Sequence, residues 1–254
     1  MSKIYADTIA PSDLATDSTL TIGSSGGTVT IPDNDIRANT IKDKSGATLW
    51  ASDGSGNLSS MAGGFSGNMT LVSTHTISSS VAAVEITGID DTARLWLARW
   101  SEIDTDTSSS HFEFNVSDDT SSHSYDINKT TTHVHLYVKV DGGAHTWNYG
   151  GGHDLDQSTS GYVRVNPHIE NDADSCGYGE LYLFNPNFKV SNLGGQCFYS
   201  HGAVHQPGAT KYVEHDQVSG IFVGANNGIT AIRFRISSGN LTGGVIRLFK
   251  LTNT

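Results

Sequence analysis

From Phe65 onward, apolar and polar residues alternate with a period of two, the pattern of strands that bury one face. Ile232, Phe234 and Ile236 alternate with Arg233 and Arg235. In the run His111 to Val116, Phe112, Phe114 and Val116 share one face, with Glu113 and Asn115 opposite. In the run His133 to Val140, Val134, Leu136, Val138 and Val140 share one face, with His133, His135, Tyr137 and Lys139 opposite. Arg94 to Ile103 is apolar on both sides, as a central strand is. Thr70 to Ile77, Val81 to Ile89, Gly161 to Ile169, Gly179 to Phe184, Gln196 to Ser200, Lys211 to Val213 and Val218 to Val223 are further strands. Gly228 to Leu251 reads as a closing hairpin, with turn chemistry at Ser237-Ser238-Gly239-Asn240 and a flexible joint at Gly243-Gly244. No segment carries a 3.6-residue apolar period. The pattern predicts an all-β protein whose residues 65–254 form a jelly-roll-like β-sandwich; a barrel is harder to exclude than a helical domain.

The pattern changes near Met61-Ala62-Gly63-Gly64. Before it, large apolar residues are few. Short strands at Ser18 to Ile22, Thr28 to Ile31, Asn39 to Lys42 and Ala47 to Trp50 are split by glycine turns. Such a stretch cannot bury enough apolar surface to fold alone. It is either disordered or completed by neighbouring copies, and threonine- and glycine-rich strands favour the second. Residues 1–64 are therefore expected to be an oligomerisation segment.

Composition narrows the class. The chain has 254 residues, 28 of them glycine, and only 16% charged residues. The formal net charge of −11 opposes binding to nucleic acid or anionic membranes. No run of apolar residues is long enough for a transmembrane helix, and the N-terminus lacks the apolar core of a secretory signal, so synthesis and folding in a cytoplasm are expected. Cys176 and Cys197 do not make a disulfide framework and are expected to be reduced and packed, with a bond formed after release from the cell as the alternative.

Both ends of the chain resemble bacteriophage virion appendages of the tail-fibre type common in marine phages. Thr87-Gly88-Ile89-Asp90 is similar to that family's opening turn; Ile232-Arg233-Phe234, Ser237-Ser238-Gly239-Asn240 and Ile246-Arg247-Leu248 are similar to its closing strands. Asp7-Thr8-Ile9, Leu20-Thr21-Ile22-Gly23 and Gly27-Thr28-Val29-Thr30-Ile31-Pro32 are similar to its N-terminal start. The region from about Ser101 to Gly228 carries no such likeness. The resemblance implies a homotrimer fixed to other virion proteins by its N-terminus, located in the virion after synthesis in the bacterial host cytoplasm. It implies no catalytic residues, and no cofactor is expected. A capsid decoration protein is the alternative, and a carbohydrate-active enzyme the more distant one.

Candidate chemistry is sparse. His133 and His135 stand about 7 Å apart on one strand face, the reach of a shared metal given a third ligand. The plainer reading, an exposed polar strand face, is preferred, and no metal site is expected. Asn171 to Gly177 has carboxylates at calcium-loop spacing, but Cys176 takes a ligand position and Leu183 stands where a bidentate glutamate belongs, so it reads as a turn. No nucleophile elbow, Walker loop or dinucleotide fingerprint is present, and no enzyme activity is expected. The remaining candidate is Trp147, Asn148, Tyr149, His153 and Asp154, read as a loop whose aromatics stack on sugar rings while polar groups bond hydroxyls. The alternatives are packing of that loop onto the sandwich or a subunit interface. The expected outside partner is a host-surface glycan or receptor.

Overall fold

A computed structural model describes residues 40–42, 45, 48–52, 58–61, 69–139, 143, 145–150, 152–187, 196–206, 212–223 and 227–251. The chain divides between Ala62 and Gly63 into two units. In the first, β1 (Thr40–Lys42), β2 (Thr48–Ser52) and β3 (Leu58–Met61) form an antiparallel sheet in that order. The strands expected at Ser18 to Ile22 and Thr28 to Ile31 lie outside the described residues.

The second unit is an antiparallel two-sheet sandwich, and the described residues contain no helix. Its strands are β4 (Met69–Thr76), β5 (Ala83–Thr87), β6 (Leu95–Thr105), β7 (Ser110–Ser117), β8 (Asn128–Lys139), β9 (His145–Tyr149), β10 (Val163–Ile169), β11 (Cys176–Phe184), β12 (Gln196–Gln206), β13 (Tyr212–Val223), β14 (Ala231–Ile236) and β15 (Leu241–Leu251). One sheet runs β10-β7-β14-β5; the other runs β4-β15-β6-β11-β12-β13-β8-β9. Eight strands pair in a nested way: β4 with β15, β5 with β14, β6 with β11, and β7 with β10. β8, β9, β12 and β13 extend the larger sheet beyond that nest.

The two sheets face each other through large side chains. Phe112 and Phe234 stack at 5.4 Å on the small sheet, and Trp100 of the large sheet lies 5.4 Å from Phe112. Phe114 meets Phe198 edge-on at 5.3 Å. Each such buried ring contributes about 1.5–3 kcal/mol through removal from water. A polar side chain also bridges the sheets within this core. Asn166, fully buried, accepts from Trp100 Nε1 and donates through Nδ2 to the Tyr178 and Ala203 carbonyls, both at 3.0 Å. Beside it, β10 lies so close over β12 that a Cβ on Gly202 would fall 2.1 Å from the Val165 carbonyl oxygen. A side chain at that position would push the sheets apart.

Several expectations change. The two closing strands are not a hairpin: β14 pairs with β5 and β7, and β15 with β4 and β6. Ile232 and Phe234 face Ile246 and Leu248 across the core, so the two strands sit in opposite layers. The turn between them is pinned by Asp106, which accepts from the Asn240 backbone N–H at 2.8 Å and from its side-chain amide at 2.9 Å. Lys211 to Val213 and Val218 to Val223 are parts of one strand, β13. The cysteines are free, but Cys197 is exposed rather than packed. In the β11–β12 ladder Cys176 pairs with His205 and Cys197 with Phe184. These ends are roughly 27 Å apart at ~3.4 Å per residue, which excludes a disulfide within one chain. Of the turn expected at Asn171 to Gly177, Asn171 to Asp174 forms one, closed by Ser175 N–H donating to the Asp172 carbonyl at 2.8 Å, while Cys176 and Gly177 already belong to β11. β6 is a central strand, as its two apolar faces predict.

Candidate functional site

The site grows from a reversal on β8. The valine–leucine face of that strand turns outward, leaving Val138 half exposed, and the histidine face turns in, leaving His133 buried. The reading of His133 and His135 as an exposed polar face is therefore corrected. The reason lies on the neighbouring strand. Glu214 and Asp216 occupy the same inward face of β13 as Val218 and Phe222. Buried carboxylates need donors, and the β8 histidines supply them: His135 pairs in register with Asp216, and His133 with Val218.

A guanidinium closes the cluster. β10 carries irregularities between Arg164 and Asn166 and between Asn166 and Ile169, and such bulges re-aim side chains. Arg164, nearly buried, donates through Nε to Asp216 Oδ2 at 2.7 Å and through Nη2 to Oδ1 at 3.4 Å. His135 Nδ1 lies 2.7 Å from Asp216 Oδ1, so it carries the proton and donates. His133 Nε2 lies 3.2 Å from the same oxygen without the alignment of a hydrogen bond. Burial alone would raise the Asp216 carboxyl; the contacts with His133 and His135 and the Arg164 charge outweigh it and hold the carboxyl below its ordinary range.

Three more histidines ring this pair. Arg164 Nη1 donates to His153 Nε2 at 2.9 Å, which makes His153 neutral with its proton on Nδ1. His111 of β7 packs on His153 at 5.9 Å and on His168 at 4.9 Å between ring centres. His168 Nδ1 lies 3.1 Å from Glu214 Oε2. Burial, reinforced by Arg164, pushes the His111 imidazole down to about 3; the same causes, in the same order, lower His153.

Over the cluster lies a cleft of about 330 Å³ lined by His135, Asn148, Tyr149, Gly150, Gly152, His153, Arg164 and His168. Gly150 shapes its floor. The Gly150 N–H donates to the His133 carbonyl at 2.8 Å, and a Cβ there would sit 2.1 Å from His133 Nδ1. The His153 N–H then closes a turn on the Gly150 carbonyl at 2.7 Å, folding the His153 ring back over the sheet.

The five candidate residues from the sequence separate here. Trp147, Asn148 and Tyr149 belong to the edge strand β9 rather than a loop. Asn148 pairs with His135 and lines the cleft with Tyr149 and His153. Asp154 accepts from the Tyr149 hydroxyl and holds that ring at the rim. Trp147, 76% exposed, stands on the opposite face of β9 from Asn148 and is not part of the lining. Arg164, His168, His111, Glu214 and Asp216 did not emerge from the sequence. Two of them carried a signal: Glu214 and Asp216 continue the Val218–Phe222 face, and a carboxylate at a core position demands a buried cation.

The described hydrogen bonds of His135 and His153 run to Asp216 and Arg164, not to a hydroxyl or thiol. The arrangement offers a preorganised polar lining. No group of three or more histidine, cysteine or carboxylate side chains among the described residues has the arrangement of a metal site. No helix among them is long and apolar enough to cross a membrane. Comparison with protein-family models, with curated proteins and with solved structures found no match to this chain.

Proposed function

We propose that the chain is a phage virion structural protein, a tail fibre-like appendage that assembles as a homotrimer. Residues 1–64 fix it to other virion proteins, and the sandwich contacts the host surface, holding a saccharide in the β8–β9–β10 cleft. We read the eight nested strands as a jelly roll with two inserted strand pairs, and the inserted β8 and β9 build the cleft. The observation that carries the reading is the cleft itself. Its volume of about 330 Å³ falls in the range of small-ligand sites. The Asn148 amide, the Arg164 guanidinium and the His153 and His168 imidazoles supply directed donors and acceptors, and Tyr149 supplies a ring at the rim. Vicinal hydroxyls suit such a lining, and the paired Arg164–Asp216 charges hold it rigid.

A glycan array probed with the full chain tests this. Saccharide binding is expected, and Asn148→Ala is expected to weaken it roughly threefold to tenfold, the worth of one hydrogen bond, with unchanged thermal unfolding. Absence of binding to any saccharide, or binding untouched by substitutions at both Asn148 and His153, overturns the assignment of the cleft. Cleavage of the bound saccharide would instead make the chain an enzyme. Antibody labelling of intact particles tests the placement: labelling confined to the head would make it a decoration protein.

A further inference from the structure

Every large apolar side chain that the described residues leave exposed lies on a strand of the eight-stranded sheet. The outer face of the small sheet carries paired charges by contrast. Arg233 pairs with Glu85 and lies over the Tyr125 ring, and Arg235 pairs with Glu113 and lies over the Tyr162 ring.

On the large sheet, strand register aligns the outward residues into two rows. Leu71, Phe249, Leu97, Tyr182 and Tyr199 are direct cross-strand partners from β4 to β12. Met69, Leu251, Leu95, Phe184, Cys197 and Ile221 form the next row, from β4 to β13. Neither row contains a charge. The row on the other side of Leu97 sets Arg247 directly opposite Arg99. Like charges in direct register destabilise a strand pair, and the only carboxylate paired with them among the described residues is Glu180, 3.4 Å from Arg99. These three rows thus combine an apolar band with one positive charge in excess among Arg99, Arg247 and Glu180, on a chain whose net charge is −11.

We infer that this outer face is an interface between copies of the chain, with the apolar rows of neighbouring copies turned toward the assembly axis and an acidic group of a neighbouring copy on the Arg99–Arg247 pair. Charge argues for a second copy. Two chains of net −11 repel through most of their surface, and this band offers an approach without acidic groups in its apolar rows, beside an arginine pair that an acidic neighbour relieves. Area argues the same way. Six strands ~4.8 Å apart and three rows ~7 Å apart span on the order of 600 Å² of flat sheet, near the ~800 Å² per partner of a standard interface. The inference rests on the proposed self-assembly and adds where it occurs.

Light scattering on the full chain, with alkylation of Cys197 by iodoacetamide, tests it. Leu71→Glu with Phe184→Glu places two charges in the band, at side chains exposed in a single copy. The unmodified chain is expected to be an oligomer with Cys197 protected; the double variant is expected to be monomeric with Cys197 reactive and far-UV circular dichroism unchanged. Arg247→Glu is expected to weaken assembly as well. An unmodified chain that is monomeric, or an oligomer that persists in a folded double variant, overturns the inference. A monomer with Cys197 protected also overturns it, by showing that the chain covers its own face. If the variant does not fold, ready alkylation of Cys197 in the unmodified oligomer overturns the inference and protection there supports it. Saccharide binding is read separately on the same samples: its absence removes the cleft assignment and leaves the interface standing.

Discussion

Replacing Arg164 with leucine removes the cation that most directly offsets Asp216. That carboxylate is fully buried, and the guanidinium reaches it through Nε at 2.7 Å. Breaking a buried pair by deleting one partner costs about 3–5 kcal/mol, because the survivor stays charged and desolvated. The β8 imidazoles remain within 2.7 and 3.2 Å of the carboxylate and keep the expected loss toward the lower end, about 3 kcal/mol. Arg164→Leu with Asp216→Leu removes both charges, and the double variant is expected to lie within about 1–2 kcal/mol of the parent. Urea unfolding at pH 8 provides the measurement, with fluorescence of the buried Trp96 and Trp100 as the probe. Equal denaturant slopes for all variants allow the midpoints to be compared as free energies. A single variant within about 0.5 kcal/mol of the parent would refute the reasoning, as would a double variant no more stable than the single one. Either result would mean that water or local rearrangement reaches Asp216 and that the cluster does not behave as a closed pair.

Acid should destabilise the sandwich in a window set by its histidines. His111 and His153 have folded-state values held below their unfolded one. The unfolded chain therefore takes up protons first, and stability present above pH ~6.5 is lost as pH falls from there toward about 3. His111→Asn should flatten the dependence of the melting temperature on pH between 7 and 5, and an unchanged slope would exclude His111 as its source. Asn166→Leu leaves the Trp100 N–H and two backbone carbonyls without partners, and is expected to lower unfolding free energy by about 2–4 kcal/mol in urea titrations. Gly202→Ala drives a Cβ into the Val165 carbonyl; a loss of about 1–3 kcal/mol is expected from the same titrations, and a neutral result would show that β10 can lift off β12.

Strand positions were legible wherever apolar residues on one face alternate with polar residues on the other. The Phe112–Val116 and Ile232–Ile236 alternations are such cases, and β7 and β14 form there with the aromatics inside. Legibility failed where the buried face is itself polar. β13 read as two fragments because Glu214 and Asp216 interrupt its apolar run, and β8 read with its histidines outward because its other face is valine and leucine. In the candidate site, Asn148, Tyr149 and His153 were visible as local chemistry. Arg164 and His111 were not, because each is ordinary in its own segment and acquires meaning only beside the carboxylates of β13.

The sequence by itself determined the class. Its period-two patterning, frequent glycine turns and lack of helical periodicity leave antiparallel β-structure as the way to bury these side chains. Pairing and layering were decided only in three dimensions. Whether two consecutive strands lie side by side or face to face depends on what their apolar faces meet, and that is set by strands far away in the chain. β14 and β15 are separated by four residues yet lie in opposite sheets, while β4 and β15, from the two ends of the sandwich, are neighbours. The same long-range pairing brings an arginine from β10, an aspartate from β13 and histidines from β7, β8 and β10 within reach of one another. Mutual neutralisation at that meeting point is what allows so many polar groups to remain inside a β-sandwich.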